Sequence, residues 1–394
     1  MVSKLVVIGV IILGVIAIAQ LIRVYEISSK LRNNNEAEIS TRDNKFNANL
    51  MLLFMFVLFG GFIWLMLSYG WTGRGEAASV HGKETDWLLN LNFIIIIAVF
   101  FLTNSLLFIF AYKYVKKIGV PAYFYPHNNK LEMMWTIAPA LVLAVIIILG
   151  LRTWNEVTSS ANPESIRVEL FSKQFDWTAR YSGLDNILGK FDYKLTADNN
   201  ELAIMTTNTI DSAIHYMESG SDGINLIEDK LNDEHLIFSD SDRESLLIDL
   251  DRKNKLVGLL YQMKERHDPN SDATAWDDFI QKDTLYLCKG KEYEFNFRSK
   301  DVIHSAYFPH FRAQMNTVPG MTTRMKFTPT LTTLEMREKK NDKKFNYALL
   351  CNKICGGAHY KMKMMVVVLE ENTYKIWLNN KSTQTFRDKY FASN

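Results

Sequence analysis

Four long apolar runs constrain this chain more than any other feature. They lie within the first 155 residues, at roughly 5–22, 50–69, 88–112 and 133–151, and each approaches or exceeds the ~20 residues needed to cross a bilayer core. Four transmembrane helices are therefore expected, with the rest of the 394 residues forming something outside the membrane.

Basic residues orient the helices. The connection after the first run carries Lys30, Arg32, Arg42 and Lys45, and the one after the third carries Lys113, Lys116, Lys117 and Lys130. Between the second and third runs stand only Arg74 and Lys83. The positive-inside bias puts the two richer connections in the cytoplasm, and so both termini and everything after Trp154 on the outer side. Trp71, Trp87, Trp135 and Trp154 lie near run ends, where interfacial anchors belong. Lys4 and the small residues around Ala17-Ile18-Ala19 also suit a cleaved secretory signal. Retention is expected instead, because cutting there would send the Lys/Arg-rich connection outward and reverse every later helix.

From Ser165 the pattern becomes short and strand-like: 166–171, 175–181, 284–288, 293–297, 324–327, 345–350 and 364–369. Alternation and intervening turn residues predict an all-β sandwich or barrel, with candidate metal residues in loops at strand ends. Residues 192–282 interrupt this series with polar, partly helical sequence carrying 20 acidic and 9 basic residues, a net −11 in a chain of net +2. That acidic insert reads either as a solvated decoration or as a face that steers a basic partner. Residues 370–378 suit a short amphipathic helix and 379–394 a polar tail. The expected division is thus 1–48 for the first helix and cytoplasmic loop, 49–160 for the remaining helices, 161–191 with 283–372 for the β domain, 192–282 for the insert, and 373–394 for the C-terminal helix and tail.

Chemistry concentrates in Cys351, Cys355, His359 and Met362, spaced C-x3-C-x3-H-x2-M, with His304 upstream in Asp301-Val302-Ile303-His304-Ser305. Two thiolates, imidazoles and a thioether are soft donors that suit copper. One blue-copper ion needs a single Cys, whereas a second thiolate allows both sulfurs to bridge two ions, each completed by one His and one weak ligand. Zinc and a Cys351–Cys355 disulfide are the competing readings, but zinc sets favour a second close ligand pair and Met362 is a poor zinc ligand. Cys288 has no partner in the sequence and reads as a buried strand residue. No C-x-x-C-H occurs, so this chain attaches no haem c.

These residues carry a resemblance to cytochrome c oxidase subunit II, the haem-copper oxidase subunit with the binuclear CuA centre. The likeness covers about 85–180 and 284–380 and rests on three motifs in order. Glu132-Met133-Met134-Trp135-Thr136-Ile137-Ala138-Pro139 resembles the family's E-x-x-W-T-x-x-P. Asp301 to Ser305 followed by Pro319-Gly320-Met321 is the second motif, and the Cys351 to Met362 loop is the third.

The resemblance implies a cupredoxin-like Greek-key sandwich on a helical anchor. It implies bridging thiolates from Cys351 and Cys355, terminal imidazoles from His304 and His359, and weak ligands from Met362 and the Lys353 carbonyl. It makes Glu132 the carboxylate at the mouth of a proton channel into subunit I, although a helix-start charge is the plainer role for such a residue. The family's Q-W-Y-W stretch stands here as Gln174-Phe175-Asp176-Trp177, which makes Phe175, Trp177 and Asp301 the residues expected at electron input. Lys353 stands where the family has Glu, and lysine cannot ligate the magnesium ion that Glu helps hold.

The expected protein is an electron-input subunit of a proton-translocating terminal oxidase. Partners would be the haem-bearing subunit I, subunit III, a cytochrome c or haem c domain as donor, and a larger respiratory supercomplex, all on a bacterial inner membrane with the copper domain facing the periplasm. No nucleic-acid partner is expected. The alternatives are a copper-free quinol oxidase subunit and a membrane-anchored copper-delivery protein.

Overall fold

A computed structural model of the chain describes residues 2–31, 40–70, 74–117, 119–381 and 383–392, with the side chains of 2–8, 10 and 29 also left out. Arg32 and Trp71, used above for orientation, and the Lys4 side chain, used in the signal reading, lie outside the described residues. The chain separates into two compact units, one holding residues 1–73 and 91–141 and the other 74–90 and 142–394.

The apolar runs form helices α1 (Val2–Leu31), α2 (Thr41–Leu65), α3 (Val80–Lys113) and α4 (Asn129–Thr158), each long and apolar enough to cross a membrane. Ser40 starts α2 by accepting a hydrogen bond from the Asp43 N–H, satisfying one of the donors a helix start leaves orphaned. Asn128 does the same for α4 through Leu131 N–H. Within the first unit, α2 and α3 meet through rings: Phe59 lies 4.6 Å from Phe101, and Phe62 5.0 Å from Phe100. Burial is otherwise slight along these helices, and their large apolar side chains face outward, as lipid-facing ones do.

The second unit is built on two five-stranded sheets. Its elements are β1 (Ile166–Lys173), β2 (Asp176–Tyr181), α5 (Thr207–Ser219), α6 (Ile224–Asn232), α7 (Asp240–Arg266), α8 (Asp272–Trp276), β3 (Phe279–Lys282), β4 (Thr284–Cys288) and β5 (Tyr293–Ser299). β6 (His304–Phe308), β7 (Ala313–Thr317), β8 (Thr323–Phe327), α9 (Thr333–Lys340), β9 (Tyr347–Cys351), β10 (Lys363–Leu369), α10 (Glu371–Lys381) and α11 (Phe386–Ala392) follow. Strand order is β3-β2-β1-β5-β8 in one sheet and β4-β10-β9-β6-β7 in the other. β1 pairs parallel with β5, and β10 parallel with β4; the other strand pairs are antiparallel.

Alternation explains which face each strand buries. In β5, Tyr293, Phe295 and Phe297 point into the core while Glu294 and Asn296 do not; in β10, Met364, Val366 and Val368 are buried and Met365 is not. One core joins residues of both sheets, including Leu170, Trp177, Ala179, Phe295, Ala306, Phe308, Leu349 and Val366. Each fully buried Leu, Phe or Val among them contributes about 1.5–3 kcal/mol.

β1 departs from simple alternation, being buried on both faces. Its outward residues Glu169 and Phe171 are covered by the insert and by α11. Phe171 packs with Leu202, Ile204, Ala275, Phe386 and Tyr390, and Glu169 accepts hydrogen bonds from Arg180 and Arg298, both at 2.5 Å. Arg180 also reaches Asp278 and the Gly189 carbonyl at 3.1 Å. Leaving such charges buried is tolerable only because each is paired. The insert has its own small core of Leu195, Ala203, Ile210, Ile214 and Leu260. It is fastened to the sandwich through ion pairs on which hydrophobic periodicity is silent.

Several expectations need correction. β3 falls at the end of the segment read as insert, and β7 has no counterpart among the expected strands. His304 is not in a loop after a strand; it is the first residue of β6, completely buried. The strand expected from 345 starts at Tyr347. The polar tail is not a tail, because α11 buries Phe386 and Tyr390 against α8.

Candidate metal centre

His304 and Cys351 are held by the same ladder. β6 pairs with β9 so that Ala306 faces Cys351, and the Asn352 N–H donates to the Ser305 carbonyl at 3.1 Å. The loop that follows returns on itself: Cys351 N–H donates to the Met362 carbonyl at 3.1 Å, and turns at His359 and Met362 close with N–H donations to Gly356 and His359 carbonyls. Positions 351 and 362 therefore meet at the mouth of a hairpin whose tip carries the other donors.

The side-chain donors converge. His304 Nδ1 lies 3.9 Å from Cys351 Sγ, the two Sγ atoms are 3.8 Å apart, His359 Nδ1 is 3.5 Å from Cys355 Sγ, and Met362 Sδ is 3.8 Å from that same sulfur. The Lys353 carbonyl is 3.2 Å from Cys351 Sγ. Thus all six donors expected from the sequence come together. His304, Cys355 and Met362 are buried, while the Lys353 side chain points outward.

A sulfur–sulfur distance of 3.8 Å is far longer than the ~2.05 Å of a disulfide, so both cysteines are free. It does fit two thiolates sharing metal ions: an ion about 2.3 Å from both sulfurs would see them at roughly a tetrahedral angle. Burial pushes the Cys355 thiol up to about 11, with the adjacent Cys351 adding to the rise. Two neighbouring thiols ionise together only if a cation compensates them, which is the chemistry of a metal site.

Asp301 fixes the histidine. Its Oδ1 accepts from His304 Nε2 at 2.8 Å, and it also accepts from the N–H groups of Gln174 and Val302, each at 2.7 Å. Burial raises its carboxyl, but the three donors outweigh it and hold Asp301 below the usual carboxylate range. A carboxylate only accepts, so Nε2 carries the proton and the Nδ1 lone pair faces the sulfurs.

The other expected residues are placed differently. Trp177 is fully buried with its ring 6.3 Å from that of His304, edge-on, so it meets the site from inside and presents no surface to a donor. Phe175 is half-buried, its ring against Gly356. Gly356 has φ +143°, and a Cβ there would come within 2.9 Å of the Phe175 ring, so that position requires glycine. Glu132 lies in the first turn of α4, where its Oε1 accepts from Asn128 N–H at 3.2 Å, the bond of a helix-start carboxylate. The spacing argument missed Gln174, whose Nε2 donates to the Cys355 carbonyl. Its only sequence signal was membership of the Gln174-to-Trp177 stretch.

A helical membrane anchor and a two-sheet β domain carrying a Cys/Cys/His/His/Met cluster define a membrane-anchored, cupredoxin-like class. The profile described as "Cytochrome C oxidase subunit II, transmembrane domain" matches residues 67–153. The alternative cytochrome c oxidase subunit 2 of Bradyrhizobium diazoefficiens is 24% identical over 330 residues, 84% of this chain and 87% of that protein. Cytochrome c oxidase subunit 2 of Thermostichus vulcanus is 31% identical over 102 residues, 26% of this chain and 27% of that one. The crystal structure of the periplasmic domain of cytochrome oxidase subunit II from Bradyrhizobium japonicum overlaps 56% of this chain and 97% of its own at 12% identity and a TM-score of 0.27, too low to carry an argument. The chain is thus similar to cytochrome c oxidase subunit II, through the transmembrane profile over residues 67–153 and through full-length relatives at 23–24% identity. Four helices long and apolar enough to cross a membrane, followed by a β domain, make it a membrane protein with an external β domain.

Proposed function

We propose that this chain is the electron-input subunit of a respiratory terminal oxidase, with a binuclear copper centre held by Cys351, Cys355, His304, His359, Met362 and the Lys353 carbonyl. The observation that carries this reading is the convergence of two free thiols 3.8 Å apart with one imidazole nitrogen beside each. Two bridged coppers would supply one-electron exchange with little change in geometry. The chain's own residues do the rest: the ladder around β6 and β9 fixes His304 and Cys351, Asp301 sets the imidazole tautomer, and Trp177, Met362 and the buried core exclude water.

On this reading electrons arrive from a cytochrome c or haem c domain and leave to a haem-bearing subunit I, where oxygen is reduced and protons are moved. Subunit III and a larger supercomplex are further partners, and the membrane is a bacterial inner one with the copper domain on the periplasmic side. Glu132 remains the proposed proton-channel carboxylate, through Glu132→Gln measured as proton uptake per electron. Electron input at Phe175 is proposed over Trp177, which is sealed inside. Magnesium is not proposed, because the loop offers an outward ammonium at Lys353 where a carboxylate is needed.

Copper per chain and electron spin resonance of the purified complex test the proposal. A binuclear centre gives one unpaired electron with hyperfine coupling to two equivalent copper nuclei. A chain holding one copper, zinc or no metal overturns it. The copper-free quinol oxidase subunit predicts the last of these outcomes, and a copper-delivery protein predicts copper without a permanent haem-bearing partner.

A further inference from the structure

The residue that links the two sides of the ligand set is not itself a ligand. Gln174 occupies the two-residue connection between β1 and β2. Its backbone N–H donates to Asp301 Oδ2 at 2.7 Å, and Asp301 Oδ1 in turn accepts from His304 Nε2 at 2.8 Å. Its side-chain Nε2 donates to the Cys355 carbonyl. The next residue, Phe175, places its ring under Gly356, one position after Cys355.

These contacts matter because the ligands come from separate pieces of chain. The Cys351 end of the loop is fastened to β6 by strand pairing and by the Asn352 N–H. The Cys355 end lies out on the hairpin, beyond the last ladder bond, and is fastened across the site by Gln174. One residue therefore touches both the support of His304 and the backbone of Cys355.

We propose that Gln174 is a positioning residue that fixes the spacing between His304 and the Cys351–Met362 loop, and that this spacing sets the electronic properties of the copper centre. The inference rests on the copper reading above. Hydrogen bonds to the surroundings of metal ligands typically change metal affinity by about 10–100-fold when lost. A ligand held from two directions should show that effect in spectrum and potential as well as affinity.

The test uses the full chain in its membrane complex and the variant Gln174→Glu. This change keeps the shape and the backbone N–H but replaces the amide donor with a carboxylate facing the Cys355 carbonyl. The expected result is altered copper hyperfine coupling, a shifted midpoint potential, and decay of the binuclear copper signal about 10–100-fold faster under a copper(I) chelator. Gly356→Ala should act in the same direction, because its Cβ would push into Phe175 and Gln174 Nε2 at 2.9 and 2.8 Å. Gln262→Glu, exposed on α7, should change none of these. Wild-type spectrum, potential and copper retention in Gln174→Glu overturn the proposal; if that variant does not fold, an unchanged signal in Gly356→Ala overturns it instead. A wild-type chain with no binuclear signal overturns the copper reading itself, so the two failures are distinguishable.

Discussion

Replacing Asp301 with Ala removes the single acceptor of His304 Nε2, a nitrogen of a fully buried ring. The lost bond is charge-assisted, and such bonds contribute about 1.5–3 kcal/mol. At about 1.4 kcal/mol per decade that is roughly a 10- to 150-fold loss in copper affinity, close to the roughly 10- to 100-fold typical of groups that orient metal-bound histidines. Gln174 and Val302 also lose an acceptor, each at 2.7 Å, so Asp301→Asn, which keeps one acceptor oxygen, should fall between wild type and Ala. The assay is competition with a copper(I) chelator, followed on the binuclear copper signal, alongside steady-state oxidation of the electron donor at several salt concentrations. If Asp301 instead acts by docking a basic donor, Asp301→Ala raises the donor KM and flattens its salt dependence while copper affinity stays at the wild-type value. That pattern would refute the orienting role.

Two further outcomes follow from the β domain. Burial, then the nearby Lys340 and Arg312, lowers His310 to about 4 from an ordinary value of 6.5; the unfolded chain therefore takes up this proton first, and stability is lost as pH falls from about 6.5 to about 4. His310→Phe, which keeps ring contact with Phe345, should flatten that acid-side fall in melting temperature, and an unchanged profile would count against it. Arg180→Met leaves the buried Glu169 carboxylate with Arg298 alone, while Asp278, pushed up to about 8 by burial, can take a proton; breaking such a buried pair costs about 3–5 kcal/mol, and thermal melting with a shift of a degree or less would show the pairing to be dispensable.

Much of this architecture was legible because apolar patterning is strong where surroundings are uniform. The four membrane helices follow from run length alone, and β4, β5 and β10 from alternation against one core. Patterning failed where a strand has two buried faces or where polar groups replace apolar ones. β1 lies under the insert, and Glu169 on β1, Arg180 on β2, Arg298 on β5 and Asp278 just before β3 look like surface residues in sequence yet are buried as pairs. α11 was missed for a related reason: Phe386 and Tyr390 are only two apolar anchors in a polar stretch, and their partner Ala275 lies more than a hundred residues earlier in the chain. At the candidate site, spacing pointed to the side-chain donors and the resemblance to the Lys353 carbonyl, but neither pointed to what holds them, since the bonds that Gln174 donates and Asp301 accepts leave no periodic trace.

Placing His304 in β6 rather than in a loop changes what the site can do. A loop histidine would rearrange when an ion changed charge, whereas this one begins a strand paired to β7 on one side and β9 on the other. Its ring is clamped between Asp301 and Trp177, with no exposed surface through which water could relax. Cys351 belongs to the same ladder, so one thiolate and one imidazole cannot move apart without breaking sheet hydrogen bonds. The donors outside the strand ladder are at the hairpin tip, Cys355 and His359 among them, held there by turn bonds and by Gln174. On the proposed copper reading, a change in geometry accompanying electron exchange would be taken up on that side, and the residues that hold the tip, rather than the ligands themselves, would decide how small it is.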